Sequence, residues 1–94
     1  MYYIGKVRSP YGPHKTHEVI LEKLREMGFD VEFTKHHWAG DLPFGLVLVE
    51  GKKGYVAVRW SLGKEFTLEL EETDKETYDE FIEDTIEYTN ADSG

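Results

Sequence analysis

Carboxylates are the reactive groups this 94-residue sequence holds in excess, and their spacing says more than their number. Between residues 76 and 87, Glu76, Asp79, Glu80, Glu83, Asp84 and Glu87 recur at steps that a helix gathers into an arc of roughly 140°. Just upstream, Glu65, Glu69 and Glu71 alternate with Phe66, Leu68 and Leu70, which places the acids on one side of a strand. Converging carboxylates bind a divalent cation or move protons, whereas carboxylates in a row present a polyanion. The spacing here is that of a row. Eleven steps of about 1.5 Å carry the helical acids, one per roughly 3.3 Å of axis, close to the roughly 3.4 Å per phosphate of a single DNA strand. The charge is also segregated. Residues 65–94 hold twelve acids and one lysine, a net of −11; the first 64 residues hold seven acids against ten Lys or Arg, a net of +3; the whole chain is −8.

The other candidate chemistry is imidazole. His14 and His17 sit one turn apart at a helix start, and His36 and His37 are neighbours that point to opposite faces if that segment is extended. Zinc needs three or four convergent ligands, and with no cysteine they would have to be His with Asp or Glu, a set these spacings do not supply. The histidines are therefore expected at loop rims beside Trp38. No Ser-His-Asp spacing, nucleophile elbow or phosphate-loop glycine pattern is present, so neither catalytic residues nor a cofactor or metal is expected.

The elements that must position these groups are legible from periodicity. Tyr2 to Arg8 reads as a strand, stopped by the turn signals Ser9-Pro10 and Gly12-Pro13. His14 to Met27 reads as a helix with Val19, Ile20, Leu24 and Met27 inward and Gly28 as its C-cap. From Phe29 to Thr34 the period switches to two, and it dissolves at Lys35 to Trp38. Phe44 to Val49 is apolar on both faces, as befits a central strand. Gly51 to Gly54 is a hairpin turn leading into Tyr55 to Trp60, where Val56, Val58 and Trp60 share a face. After the strand from Glu65 to Glu71, Thr73 and Glu76 have capping-box spacing for a helix over about 74 to 89. In that helix Tyr78, Phe81, Ile82 and Ile86 face the core. The expected fold is a single α+β domain, residues 1–94, in the order β-α-β-β-β-β-α. It has a mostly antiparallel sheet of about five strands with two helices packed on it, and a first crossover that sets the first two strands parallel.

The stretches Thr16 to Glu18, Leu24, Gly28 to Val31, Gly40 to Pro43 and Gly51 to Arg59 resemble the core of the PD-(D/E)XK nucleases, in particular Holliday-junction resolvases. The resemblance covers residues 16–59. It implies a magnesium site built from a helix glutamate, a Pro-Asp and an acidic-x-Lys. Glu18 matches the first, but Phe44 follows Pro43, Ala57 takes the acidic position and Arg59 takes the lysine. The resemblance thus implies a nuclease-like nucleic-acid-binding domain without the reaction, using Lys52, Lys53 and Arg59. An enzyme would need Asp41, Glu18 and Glu50 to meet around a divalent ion instead.

The absence of cysteine excludes disulfides and thiolate chemistry and is compatible with a cytoplasmic location. No apolar run reaches the length of a membrane span or export signal, the longest being Phe44 to Val49. A chain this acidic is repelled by bulk DNA, so direct DNA binding is not expected and the expected partner is basic. The charge pattern leads to a non-enzymatic inhibitor that mimics DNA. Glu69, Glu71, Glu76, Asp79, Glu80, Glu83, Asp84 and Glu87 would meet a basic nucleic-acid-binding protein, such as a histone-like nucleoid protein or a host defence complex. In charge and size it is similar to the decoys that phages make for host takeover. A surplus of Tyr and Trp is also compatible with a homodimer interface.

Overall fold

A computed structural model describes residues 1–38, 40 and 43–90, the side chains of 88–90 excepted. Its elements are β1 (Tyr2–Ser9), α1 (Pro13–Glu26), β2 (Phe33–Trp38), β3 (Phe44–Gly51), β4 (Gly54–Leu62), β5 (Thr67–Thr73) and α2 (Lys75–Asn90). The strands form one sheet in the order β2-β3-β4-β1-β5, in which only β1 and β4 are parallel neighbours. This is the expected α+β order with a mostly antiparallel five-stranded sheet.

Alternation along the strands builds two cores. On one side, Val7, Val47, Val49, Val56, Val58 and Trp60 pack with Ile20 and Leu24 of α1. On the other, Leu46 and Ala57 pack with Tyr78 and Phe81 of α2, and Tyr2, Ile4, Leu48, Ile82 and Ile86 close around them. The helices therefore cover opposite faces. Strands β3 and β4 are greasy on both because they are covered twice.

Several boundaries differ from the periodicity for local reasons. Pro13 opens α1, where its missing N–H costs nothing, and Gly28 closes it with φ +94°. The Phe29 amide then bonds Leu24 O at 3.0 Å and the Gly28 amide bonds Arg25 O at 3.0 Å, a Schellman ending. That ending turns Phe29 back onto the core and leaves Met27 half exposed, not inward. The strand expected at Phe29 to Thr34 is delayed for the same reason. Asp30 instead accepts the Lys52 amide at the tip of the β3-β4 hairpin at 2.9 Å, which holds its carboxyl below the usual carboxylate range. The chain joins the sheet only at Phe33, so β2 keeps the last two residues of the expected strand and continues through Lys35 to Trp38, where the pattern dissolved, and Phe33 is 55% exposed.

β1 and β2 run in the same direction, as the crossover implies, but they are not neighbours, because β3 and β4 lie between them. The cap of α2 moves by one residue. Asp74, not Thr73, accepts the Thr77 amide at 2.7 Å, since Thr73 is still paired with Tyr2 at the end of β5.

Where β1 turns into α1, a buried polar chain closes the corner. Thr16 Oγ1 donates to Tyr11 O at 3.2 Å, Ser9 Oγ lies 2.8 Å from Thr16 Oγ1, and the Tyr11 amide donates to Ser9 Oγ at 3.1 Å. Among the described residues no buried side-chain oxygen or nitrogen is left without a partner. Thr16→Val keeps the shape but strands the Ser9 hydroxyl and the Tyr11 carbonyl, and should lower unfolding free energy by about 1–3 kcal/mol in urea titration. A loss below a few tenths would show that water replaces the threonine.

Candidate functional site

Helix α2 is seated by Tyr78, Phe81 and Thr85, all buried, with Ile82 and Ile86 half-buried beside them. A brace from the sheet fixes its height. Arg59 Nε donates to Thr85 Oγ1 at 3.0 Å while the guanidinium lies 4.5 Å from the centre of the Phe81 ring. Thr85 in turn donates to Phe81 O at 2.7 Å. At the foot of the helix Tyr78 meets Tyr2, ring centres 5.1 Å apart, and Tyr2 stacks on Tyr55 at 5.3 Å. Burial pushes the Tyr78 phenol up to about 12, so it stays neutral there.

With that face turned inward, Glu76, Asp79, Glu80, Glu83, Asp84 and Glu87 are all exposed on the opposite side. Strand β5 is at the edge of the sheet, and α2 lies over β1, β3 and β4 without covering it. Register puts Glu69 opposite Lys6 and Glu71 opposite Ile4, on the α2 side of the sheet. Both are exposed. A shallow groove of about 210 Å³, lined by Ile4, Lys6, Glu69, Leu70, Glu71 and Phe81, separates the strand acids from the helix. All eight acids named from the sequence thus share one side of the molecule.

Among the described residues, Asp79 alone of these eight is ion-paired, to Lys75 at 2.8 Å, a bond that raises the lysine pKa. The i,i+4 pairs 76–80, 79–83, 80–84 and 83–87 are like-charged and together oppose the helix by about 1 kcal/mol. Acids in the last turn oppose the dipole as well. Burial of the apolar face of α2 outweighs both.

The alternative constellations are not assembled. Lys52 and Lys53 sit at the β3-β4 turn, with Lys53 over the Phe29 ring on the α1 side, while Arg59 lies farther along β4 on the α2 side. Glu18 is on α1 and Glu50 is on the α2 face of β3, so the sheet separates them; Asp41 lies outside the described residues. No cluster of three or more His, Asp or Glu among the described residues could hold a metal ion.

The histidines are the site residues that sequence reasoning misplaced. His14 and His36 do pack beside Trp38, but His17 and His36 are held between helix and strand. His17 and His36 lie between α1 and β2 with ring centres 4.9 Å apart, and Trp38 packs on His36 at 4.7 Å and on His14 at 5.4 Å. The Trp60 indole donates to His36 Nε2 at 2.8 Å, which requires a neutral imidazole with its proton on Nδ1. Gly45, opposite Trp60, is what lets the indole reach: any Cβ there would collide with it. Thr34 Oγ1 donates to Leu48 O at 2.9 Å and so accepts from His17 Nε2 at 2.9 Å. Burial pushes His36 down to about 4, with His17, His14 and His37 adding in the same direction, and burial lowers His17 and His37 too. The one signal for this cluster was that His36 and Trp38 are in phase with each other.

No known family matches the chain, and no curated protein or solved structure matches it significantly.

The depressed histidine has a definite pH signature. Unfolded His36 takes up its proton near 6.5 and folded His36 only near 4, so stability is full above 6.5 and falls as pH drops through that window. His36→Gln keeps an acceptor for Trp60 but does not titrate. Its melting temperature, followed by circular dichroism from pH 7.5 to 3.5, should fall less steeply than that of the parent. Equal slopes would assign the acid sensitivity elsewhere.

Proposed function

We propose that this protein is a non-enzymatic decoy that offers a DNA-like acidic face to a basic nucleic-acid-binding protein, of which a histone-like nucleoid protein is the simplest example. The observation that carries the reading is the side of the molecule that bears Glu69, Glu71, Glu76, Asp79, Glu80, Glu83, Asp84 and Glu87. All eight are exposed, and among the described residues Asp79 alone is ion-paired, to Lys75. A merely soluble surface gains from interspersed charges of both signs, which also avoids i,i+4 repulsion. Here the repulsion is retained. A partner whose Lys and Arg displace counterions from phosphates meets carboxylates at similar spacing and gains the same ion-release entropy. The rigid seat of α2 on Tyr78, Phe81 and Thr85 lowers the cost of ordering that array on binding.

The experiment is calorimetric titration against a purified basic nucleoid protein at 50 and 200 mM salt, with duplex DNA as competitor. Affinity should fall steeply between the two salts. Glu80→Gln, Glu83→Gln and Glu87→Gln together remove three exposed contacts of about 0.2–1 kcal/mol each, a loss of roughly tenfold in affinity. The same variant should melt at the same temperature or higher, because like-charge pairs are relieved. Unchanged affinity in the triple variant would sink the reading.

A further inference from the structure

The acidic chain also carries a cationic corner. On the α2 side of the sheet, beside Phe81 and Thr85 of the helix, Lys6 lies directly opposite Arg59 and Arg8 directly opposite Ser61 in the parallel β1-β4 pair. Strand geometry confines these four positions to a patch of roughly 5 by 7 Å. They line a groove of about 240 Å³ with the backbone of Val7. Among the described residues no carboxylate lies within ion-pairing distance of Lys6, Arg8 or Arg59. Like charges directly opposite one another destabilise a strand pair. Glu69 stands opposite Lys6 on the other flank of β1 without forming an ion pair, and among the described strand residues no carboxylate is paired in register with Arg8 or Arg59.

Arg59 is more than a surface charge. Its Nε is committed to Thr85 and its plane rests on the Phe81 ring, so the half-buried side chain is held in one orientation. Its terminal amino groups find no acceptor among the described residues, and no side-chain donor is buried unsatisfied, so these N–H groups open to solvent. A fixed planar fork flanked by two freely rotating cations and a hydroxyl matches a tetrahedral oxyanion. The fork takes two oxygens, and Lys6 and Arg8 neutralise the remaining charge.

The whole-molecule field decides the size of the anion. A net charge of −8 repels an extended polyanion, whose charges reach the acidic side as well. At physiological salt the screening length is about 8 Å, so a single small anion within the corner senses the three cations and, beside Lys6, the carboxylate of Glu69, a local balance that is still positive. The groove is also smaller than a typical ligand pocket, leaving room for little beyond one phosphate. We propose that Arg59, Lys6, Arg8 and Ser61 form a binding site for one phosphate group, free or as the monoester of a small metabolite. The site uses none of the acids of the decoy face, so the two proposals stand or fall separately.

The test is an amide chemical-shift titration with inorganic phosphate at pH 7.5 and constant ionic strength, with chloride as reference and glycerol 3-phosphate as the monoester. Saturable shifts confined to residues 6–8 and 59–61 are expected with both probes, and weaker binding at pH 5.5, where phosphate is largely monoanionic. Lys6→Gln with Arg8→Gln, both exposed side chains, should weaken binding at least tenfold without altering the fold. Arg59→Lys should weaken it at least fivefold while keeping the charge. Shifts matched by chloride, or unchanged affinity in the Lys6/Arg8 variant, would overturn the site. A single-stranded oligonucleotide that binds more tightly than phosphate per phosphate group would overturn it in favour of a nucleic-acid surface.

Discussion

A sheet whose inner strands carry apolar side chains on both faces has to be covered twice, and in this chain only two segments are able to do it. β3 and β4 present Val47, Val49, Val56, Val58 and Trp60 to one side and Leu46, Leu48 and Ala57 to the other. Leaving either set in water forfeits about 25 cal/mol for each Å² of apolar surface exposed. α1 covers the first set and α2 the second. Once that is settled, the outward face of α2 and the uncovered flank of β5 are fixed in space relative to each other. The acidic side of the molecule is therefore a consequence of double burial.

The brace between Arg59, Phe81 and Thr85 ties the two charge distributions together. One guanidinium crosses from the sheet to the inner face of α2, satisfies a buried hydroxyl and spends its ring-stacking surface on the aromatic that anchors the helix. The same residue that seats the acidic helix also marks the cationic corner. Strong segregation of charge is tolerable because the opposing patches are both exposed, where water and salt screen them. The buried polar groups, such as Ser9, Thr16 and Thr85, are uncharged and fully bonded.

On the α1 side the sheet accepts polar residues inward because they answer one another. Thr34 and His36 occupy core-facing positions of β2, and each is bonded, to Leu48 and His17 or to Trp60. That is the reason periodicity failed there. A strand read for alternating apolar residues is invisible when its inward side chains are a threonine and a histidine. Of the apolar residues that did alternate, Phe29 and Val31 belong to the helix ending and the loop that follows, and Phe33, the first residue of β2, is exposed.

The sequence by itself determined the order of elements, the two amphipathic faces of α2, the shared face of Val56, Val58 and Trp60, and the exposure of Glu69 and Glu71. These depend on periods of 3.6 and 2, which are local properties of the backbone. Only the tertiary structure decided the rest: β1 inserted between β4 and β5, helices on opposite faces, His36 paired with Trp60, and Lys6 set against Arg59. Those pairings join residues far apart in sequence, and strand order depends on which faces must be buried together. No local spacing encodes that.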